Sequence, residues 1–226
     1  MLNSSGTCCI NFNVYGNILA EHWLFGKWML LNALIGWSSV YLYAPILSIS
    51  HGLSEAASLR AIENVYLPLE QTMTALVLII TPNIAMKIAR NESARLNKVT
   101  GNLTAIILAG AVCYTLAVSL FGKHIMHFIY NKEQYELLYW LIPVLGLASI
   151  FRAIGDVGIG TTVRACGKPK MFVVSTLYAA VITWTLGFAL ASHFGAAGAI
   201  IGRTITNGIA CITIYYLWRK NLQHKE

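Results

Sequence analysis

Six ionisable side chains stand inside otherwise apolar stretches of this sequence: Arg60, Glu63, Glu70, Arg152, Asp156 and Arg203. An ion facing hydrocarbon costs on the order of 3 kcal/mol by insertion scales. Each of these groups therefore has to meet an opposite charge, a wet cavity or a charged ligand. Arginine is the side chain best matched to phosphate, because its planar fork donates two parallel hydrogen bonds. A carboxylate in the same place suits a proton or a hard cation. Arg60 and Glu63 are three residues apart, and Arg152 and Asp156 four, so each pair can close on its own helix. Arg60 can also snorkel to an interface. Glu70 has no basic neighbour on its helix, which points it to a cavity. Arg203 has no acid on its helix and needs an acid from elsewhere or an anionic ligand.

The stretch around Glu70 shows why a helix would carry such groups. Gln71 to Met86 is only 16 uncharged residues long. At about 1.5 Å per residue, a hydrocarbon layer of about 30 Å needs about 20 residues. The span must then take in Glu70 and the residues before it. At about 100° per residue, Arg60, Glu63, Asn64, Glu70, Gln71 and Thr74 share a stripe roughly 120° wide. Ala61, Val65, Leu69, Met73, Leu76 and Val77 form the opposite face, suited to lipid or neighbouring helices. Pro68 and Pro82 each remove a backbone donor and bend or open the helix. A bent helix with a polar stripe makes a cavity wall.

The composition sets the environment. The chain has 226 residues, 57% of them apolar and 11% charged, with a mean hydropathy of +0.62. Soluble domains carry about 25% charged residues. The sequence is that of an all-α polytopic membrane protein. Six spans can be drawn: Trp28 to about Ser50, about Ser54 to Met86, about Thr100 to Phe121, about Leu137 to Thr162, Met171 to about Ala191, and about Ala197 to Trp218. The bundle occupies residues 25–220, between an amino-terminal segment at 1–24 and a tail at 221–226. Spans one, three and five are free of charge. Spans four and six are uncharged over only 15 residues each, Leu137–Phe151 and Thr204–Trp218, so they too need their charged residues to reach full length.

Lysine and arginine sort by side. Eleven fall on one side (Lys27, Lys87, Arg90, Arg95, Lys98, Arg164, Lys168, Lys170, Arg219, Lys220, Lys225) and three on the other (Arg60, Lys123, Lys132). Positive residues collect on the cytoplasmic face, which predicts six crossings and two cytoplasmic termini. The net charge of +7 is thus a topology signal and does not point to nucleic acid. Tryptophan and tyrosine cluster near the span ends, as interface anchors do. The first residues lack the basic start and clean apolar core of a signal peptide.

Other chemistry finds little support. The five cysteines (Cys8, Cys9, Cys113, Cys166, Cys211) include no C-x-x-C pair and read as packing. His124 and His127 have helical spacing but no third ligand, so neither a metal nor another cofactor is expected. The sequence lacks G-x-S-x-G, H-E-x-x-H and P-loop motifs, and nothing marks it as an enzyme. Sequons at Asn3, Asn91 and Asn102 fall on the expected cytoplasmic side and read as chance. Gly195, Gly198 and Gly202 suggest close helix packing, and Gly155, Gly158 and Gly160 either packing or a hinge. The loop GKHIMHFIYNKEQYE has room for a short interfacial helix.

The serial order of these features resembles a known family. HWLFGKW before a first span, then SLRAIENVYLPLEQ, then a helix ending TPNIAMKIAR, is similar to the carboxy-terminal half of polysaccharide-biosynthesis flippases. These belong to the multidrug/oligosaccharidyl-lipid/polysaccharide exporter superfamily. GKHIMHFIYNKEQYE and RACGKPK resemble two of its loops, and the likeness runs from about Glu21 to Lys220. It implies a six-helix bundle forming one lobe of a two-lobe flippase, in which one bundle rocks against the other. It implies the inner (plasma) membrane, and a cargo of oligosaccharide on a polyprenyl diphosphate for O-antigen, capsule or exopolysaccharide synthesis. Arg60 would hold the diphosphate, with Arg152 and Arg203 behind it, and Asn64 and Gln71 would bind sugar hydroxyls. Glu63, Glu70 and Asp156 would carry the coupling ion, above all in a multidrug-type cation-coupled antiporter of the same fold. A chain of this length supplies one bundle, so the second is expected from a separate chain, a missing amino-terminal half or another copy. A non-transporting membrane interaction partner or remnant is the reading from outside the transporter class.

Overall fold

The computed structural model describes the backbone of residues 12–90, 96–131 and 138–223, and side chains from Leu19 onward except those of Glu21, 96–99 and 221–223. Cys8, Cys9, the sequons at Asn3 and Asn91, Arg95, Lys132 and Lys225 lie outside the described residues. Every regular element among those described is helical. In chain order these are α1 Phe12–Tyr41, α2 Tyr43–Ser50, α3 Leu53–Ala89, α4 Leu96–Tyr130, α5 Leu141–Arg152, a π-helical segment Ala153–Gly160, α6 Thr161–Ala165, α7 Pro169–Ile182, a second π segment Thr183–Gly187, and α8 Phe188–Gln223.

Five stretches are long and apolar enough to cross a membrane: His22–Ser50, Leu53–Ala89, Thr100–Tyr130, Leu141–Ala165 and Pro169–Lys220. The last is 52 residues long and does not run straight. Gly195 has φ 62° and ψ −143°, which breaks the helical path. Beyond it the chain folds back. Thr183 Oγ1 meets Thr206 Oγ1 at 2.9 Å, and Ser175 Oγ donates to the Ala210 carbonyl at 2.8 Å, so the two arms are antiparallel. Glu55 Oε2 accepts the Ala196 N–H at 2.9 Å and so ties this fold-back to the start of α3. That conformation is nearly exclusive to glycine, and a Cβ at 195 would stand 2.7 Å from Glu55 Oε2. Gly195→Ala should therefore lower stability by about 1–3 kcal/mol. Thermal unfolding in detergent will show it beside Gly101→Ala, where an added Cβ meets nothing within 4 Å.

Local chemistry explains the other breaks. The chain turns at Leu42 because the ring of Pro45 opposes the carbonyl four residues earlier. Gly52 (φ 89°) precedes α3, and Asn131 (φ 47°) ends α4. α4 extends nine residues past Phe121, into the stretch that the sequence pattern assigns to a loop. No proline interrupts that stretch, and Gly122 packs against Ile142. The turn after α6 is a Schellman motif: Gly167 (φ 69°) donates to the Arg164 carbonyl and Lys168 to that of Val163. Pro169 then starts α7 at a position where its missing N–H costs nothing.

The run from α5 through α6 is the most buried of the five stretches and lies at the centre. Ile62, Tyr66, Met73, Leu141, Ile142, Leu145, Ala199 and Ile200 meet in the main core. Within a bilayer this packing gains little from leaving water, so close contact and polar ties between helices hold the bundle together. Tyr66 donates to the Ile142 carbonyl at 3.0 Å and Tyr114 to that of Val65 at 2.7 Å. The glycines of the first π segment serve packing: Gly155 faces the Cys211 backbone, Gly158 faces Thr104 and Gly160 faces Phe172.

The two ends of the bundle differ in charge. At one end Lys170 lies 5.3 Å from the Trp28 ring centre and Thr100 bonds Thr162 at 2.9 Å. At the other, His51 Nε2 donates to the Ser192 carbonyl at 2.9 Å. Lys27, Lys87, Arg90, Lys168, Lys170, Arg219 and Lys220 all gather toward the first end.

Candidate functional site

The ionisable residues of the apolar stretches come together inside the bundle. α3 supplies Arg60, Glu63 and Glu70, α5 supplies Arg152, the first π segment Asp156, and α8 Arg203. They form a ladder of alternating sign. Arg60 donates to Glu63 at 2.7 Å. Arg203 donates to Glu63 at 2.6 Å and to Glu70 at 3.2 Å. Arg152 lies 3.1 Å from Glu70 and 3.7 Å from Asp156. Asp156 in turn accepts from Arg164 at 2.9 Å.

Arg164 is the member that sequence reasoning missed, because its place at the start of RACGKPK counted it among the loop cations. Its side chain is only 14% exposed. The same Nη2 also donates to the Asp156 carbonyl at 2.9 Å, and the guanidinium stacks 4.5 Å from the centre of the Phe172 ring. Asp156 and Arg164 are eight residues apart, which on a regular α-helix leaves them about 80° out of line. The π segment between them turns less per residue and brings them onto one face.

The ladder borders a cavity of about 410 Å³. Glu70, Arg152, Asp156, Arg164 and Arg203 line it, together with apolar groups such as Trp37 and Phe151. The volume lies at the small end of ligand pockets, which span about 300–1,000 Å³. Three guanidiniums face two carboxylates here, leaving an excess of one positive charge. Asn32 Oδ1 and Arg164 Nε, both on lining residues, are buried and have no hydrogen-bond partner among the described residues. The cavity thus presents net positive charge at the depth of the apolar spans.

Not every expected residue reaches it. Arg60 stays at the rim with its side chain 41% exposed, 5.4 Å from the Tyr41 ring, and touches the ladder only through Glu63. Asn64 is exposed and donates to Tyr130 Oη at 3.1 Å. Gln71 is exposed on the outer face of α3. These two sit on a different surface from Arg152 and Arg203. The polar stripe of α3 is thus divided: Glu63 and Glu70 turn toward α8, Asn64 turns toward the end of α4, and Gln71 and Thr74 are exposed.

The pairing resolves what the sequence left open. Arg203 meets two acids from another helix. Arg60–Glu63 and Arg152–Asp156 do close on their own helices, yet each acid also serves a second arginine. Among the described residues, no group of three His, Cys, Asp or Glu side chains converges as a metal site. In comparison with known proteins, no family model, no curated protein and no solved structure matches the chain.

Proposed function

We propose that this chain is the carboxy-terminal six-helix bundle of a membrane flippase for polyprenyl-diphosphate-linked oligosaccharides of surface polysaccharide synthesis. The observation that supports this most directly is the convergence of Arg152, Arg164 and Arg203 on one cavity within apolar helices. Forked cations at that depth suit a diphosphate, whose transfer through a low dielectric needs compensating charge. The cavity would take the diphosphate end of the cargo, and the longer sugar chain would lie outside it. Asn64 and Gln71, both exposed on α3, would meet sugar in a space shared with a second bundle. In this reading the fold-back at Gly195 separates a fifth and a sixth crossing. The end that gathers lysine and arginine is then cytoplasmic, both termini lie there, and the membrane is the inner one.

A test is binding of farnesyl diphosphate, a short polyprenyl diphosphate, to the purified chain in detergent. Arg152→Lys with Arg164→Lys keeps the charge and removes both forks. Affinity should fall about tenfold per fork lost, equivalent to about 1.4 kcal/mol each. Unchanged affinity in the double variant would overturn the assignment.

The multidrug-type antiporter reading has one observation in its favour, since Glu70 and Asp156 line the same cavity. It requires binding of an organic cation such as tetraphenylphosphonium, lost in Glu70→Gln and Asp156→Asn. An interaction partner without transport activity would tolerate neutralising the whole ladder once folded.

A further inference from the structure

We infer that the groove between α1 and the start of α7 binds one anionic phospholipid, with its headgroup held by Lys168 and Lys170. This groove shares no lining residue with the cavity of the charge ladder and does not depend on what that cavity binds. It encloses about 410 Å³ between Leu24, Phe25 and Trp28 of α1 and residues 167–171. Two lysines face an apolar wall there, and among the described residues no carboxylate lines the groove. The central cavity is the opposite case, since each of its guanidiniums meets a carboxylate.

The backbone fixes the two lysines. The Schellman turn at Gly167 closes α6 and the buried Pro169 opens α7, so Lys168 and Lys170 flank one rigid residue. Lys170 lies 5.3 Å from the Trp28 ring centre, which holds its ammonium against α1. An added Cβ at Gly167 would meet nothing within 4 Å, so the space beside the turn is open. The first turn of α7 adds the partial positive charge of a helix amino terminus.

Depth decides the occupant. α1 and α7 run side by side in the same direction: Trp28 meets Lys170, and Ile35, further along α1, packs with Val173 and Ala180. Leu24 and Phe25 therefore lie about 6 Å beyond Trp28 toward the lysine-rich end. They are 60% and 40% exposed. Tryptophan at the end of a span marks the headgroup layer. Cations at that level, with apolar side chains still further out, are placed where the anions are lipid phosphates. A dissolved anion would gain nothing from Leu24, Phe25 or Met171, whereas a lipid lays its glycerol and first methylenes against them. A zwitterionic lipid already offsets its phosphate with its own amine, so two lysines favour a lipid of net negative charge. Basic pockets between helix ends take acidic lipids by the same match.

The test counts lipids bound to the full chain in detergent, by native mass spectrometry during titration with phosphatidylglycerol or phosphatidylcholine. One phosphatidylglycerol should bind in clear preference to phosphatidylcholine. Lys168→Gln with Lys170→Gln should weaken it roughly 30-fold, the attraction of two lysines near a lipid surface. Lys87→Gln with Arg90→Gln removes the same charge from exposed positions outside the groove and should leave that affinity unchanged. Leu24→Ser with Phe25→Ser should weaken binding at constant charge. Equal losses in the two charge variants would reduce the effect to the general field of this end and overturn the site. Equal binding of the two lipids would overturn it as well. Displacement by free glycerol 3-phosphate at matching affinity would mean a soluble anion. Displacement by farnesyl diphosphate that survives Arg152→Lys with Arg164→Lys would mean the cargo lipid. Either displacement would overturn the phospholipid assignment.

Discussion

Arg203→Leu will lower the stability of the purified protein by about 3–5 kcal/mol, the usual consequence of breaking a buried ion pair from one side. Among the described residues, this arginine is the only basic side chain that bridges Glu63 to Glu70, at 2.6 and 3.2 Å, and it is 13% exposed. Leucine keeps the volume and leaves two carboxylates short of a partner. Glu63 retains Arg60 and Glu70 retains Arg152, which holds the loss to that range. The penalty arises from unpaired charge and not from lost packing. Adding Glu63→Gln and Glu70→Gln to Arg203→Leu should accordingly recover most of it, because neutral groups are far cheaper to bury than ions. Denaturation in detergent, monitored by tryptophan fluorescence, measures both variants. A neutral Arg203→Leu, or a triple variant weaker than the single one, would show that the ladder does not form. The loss should persist at high salt, since screening acts weakly on pairs this far from water.

The second large effect belongs to Gly155. A Cβ built there stands 2.9 Å from the Cys211 Cα, so the first π segment and α8 touch backbone to backbone. Alanine needs only a small adjustment, but valine has to push α8 away. That motion separates Asp156 and Arg152 on one side from Arg203 on the other. Gly155→Val should cost about 3 kcal/mol, at the upper end for overpacking, because backbone cannot yield as a side chain does. It should also weaken farnesyl diphosphate binding. Gly110→Val is the control, since an added Cβ there meets nothing within 4 Å and stability should move little. Equal behaviour of the two variants in thermal unfolding would refute the close approach.

These predictions concern contacts that differ in how far the sequence can reveal them. Helix length, apolar run and interrupting proline are local properties. The stretches at 53–89 and 141–165 are therefore legible in the amino-acid order alone, as are the isolated charges within them. The same holds for Arg60–Glu63, where the spacing on one helix brings the pair together. That Glu63 and Glu70 turn toward α8 while Asn64 turns to Tyr130 and Gln71 stays exposed is not legible there. All four lie within one stripe, and only the position of α8 divides it.

The sequence by itself determined a helical chain with stretches long and apolar enough to cross a membrane, and with charges in them that must be paired. The reason is energetic and local: a span cannot reach across hydrocarbon without those residues, and they cannot remain there alone. Only the tertiary structure decided the partners. Arg203 reaches acids more than 130 residues away, Arg152 shares Glu70 with it, and π winding turns a loop cation, Arg164, onto Asp156. Such contacts depend on the relative placement of whole helices and on a change of helical pitch, and no residue spacing along the chain encodes either one.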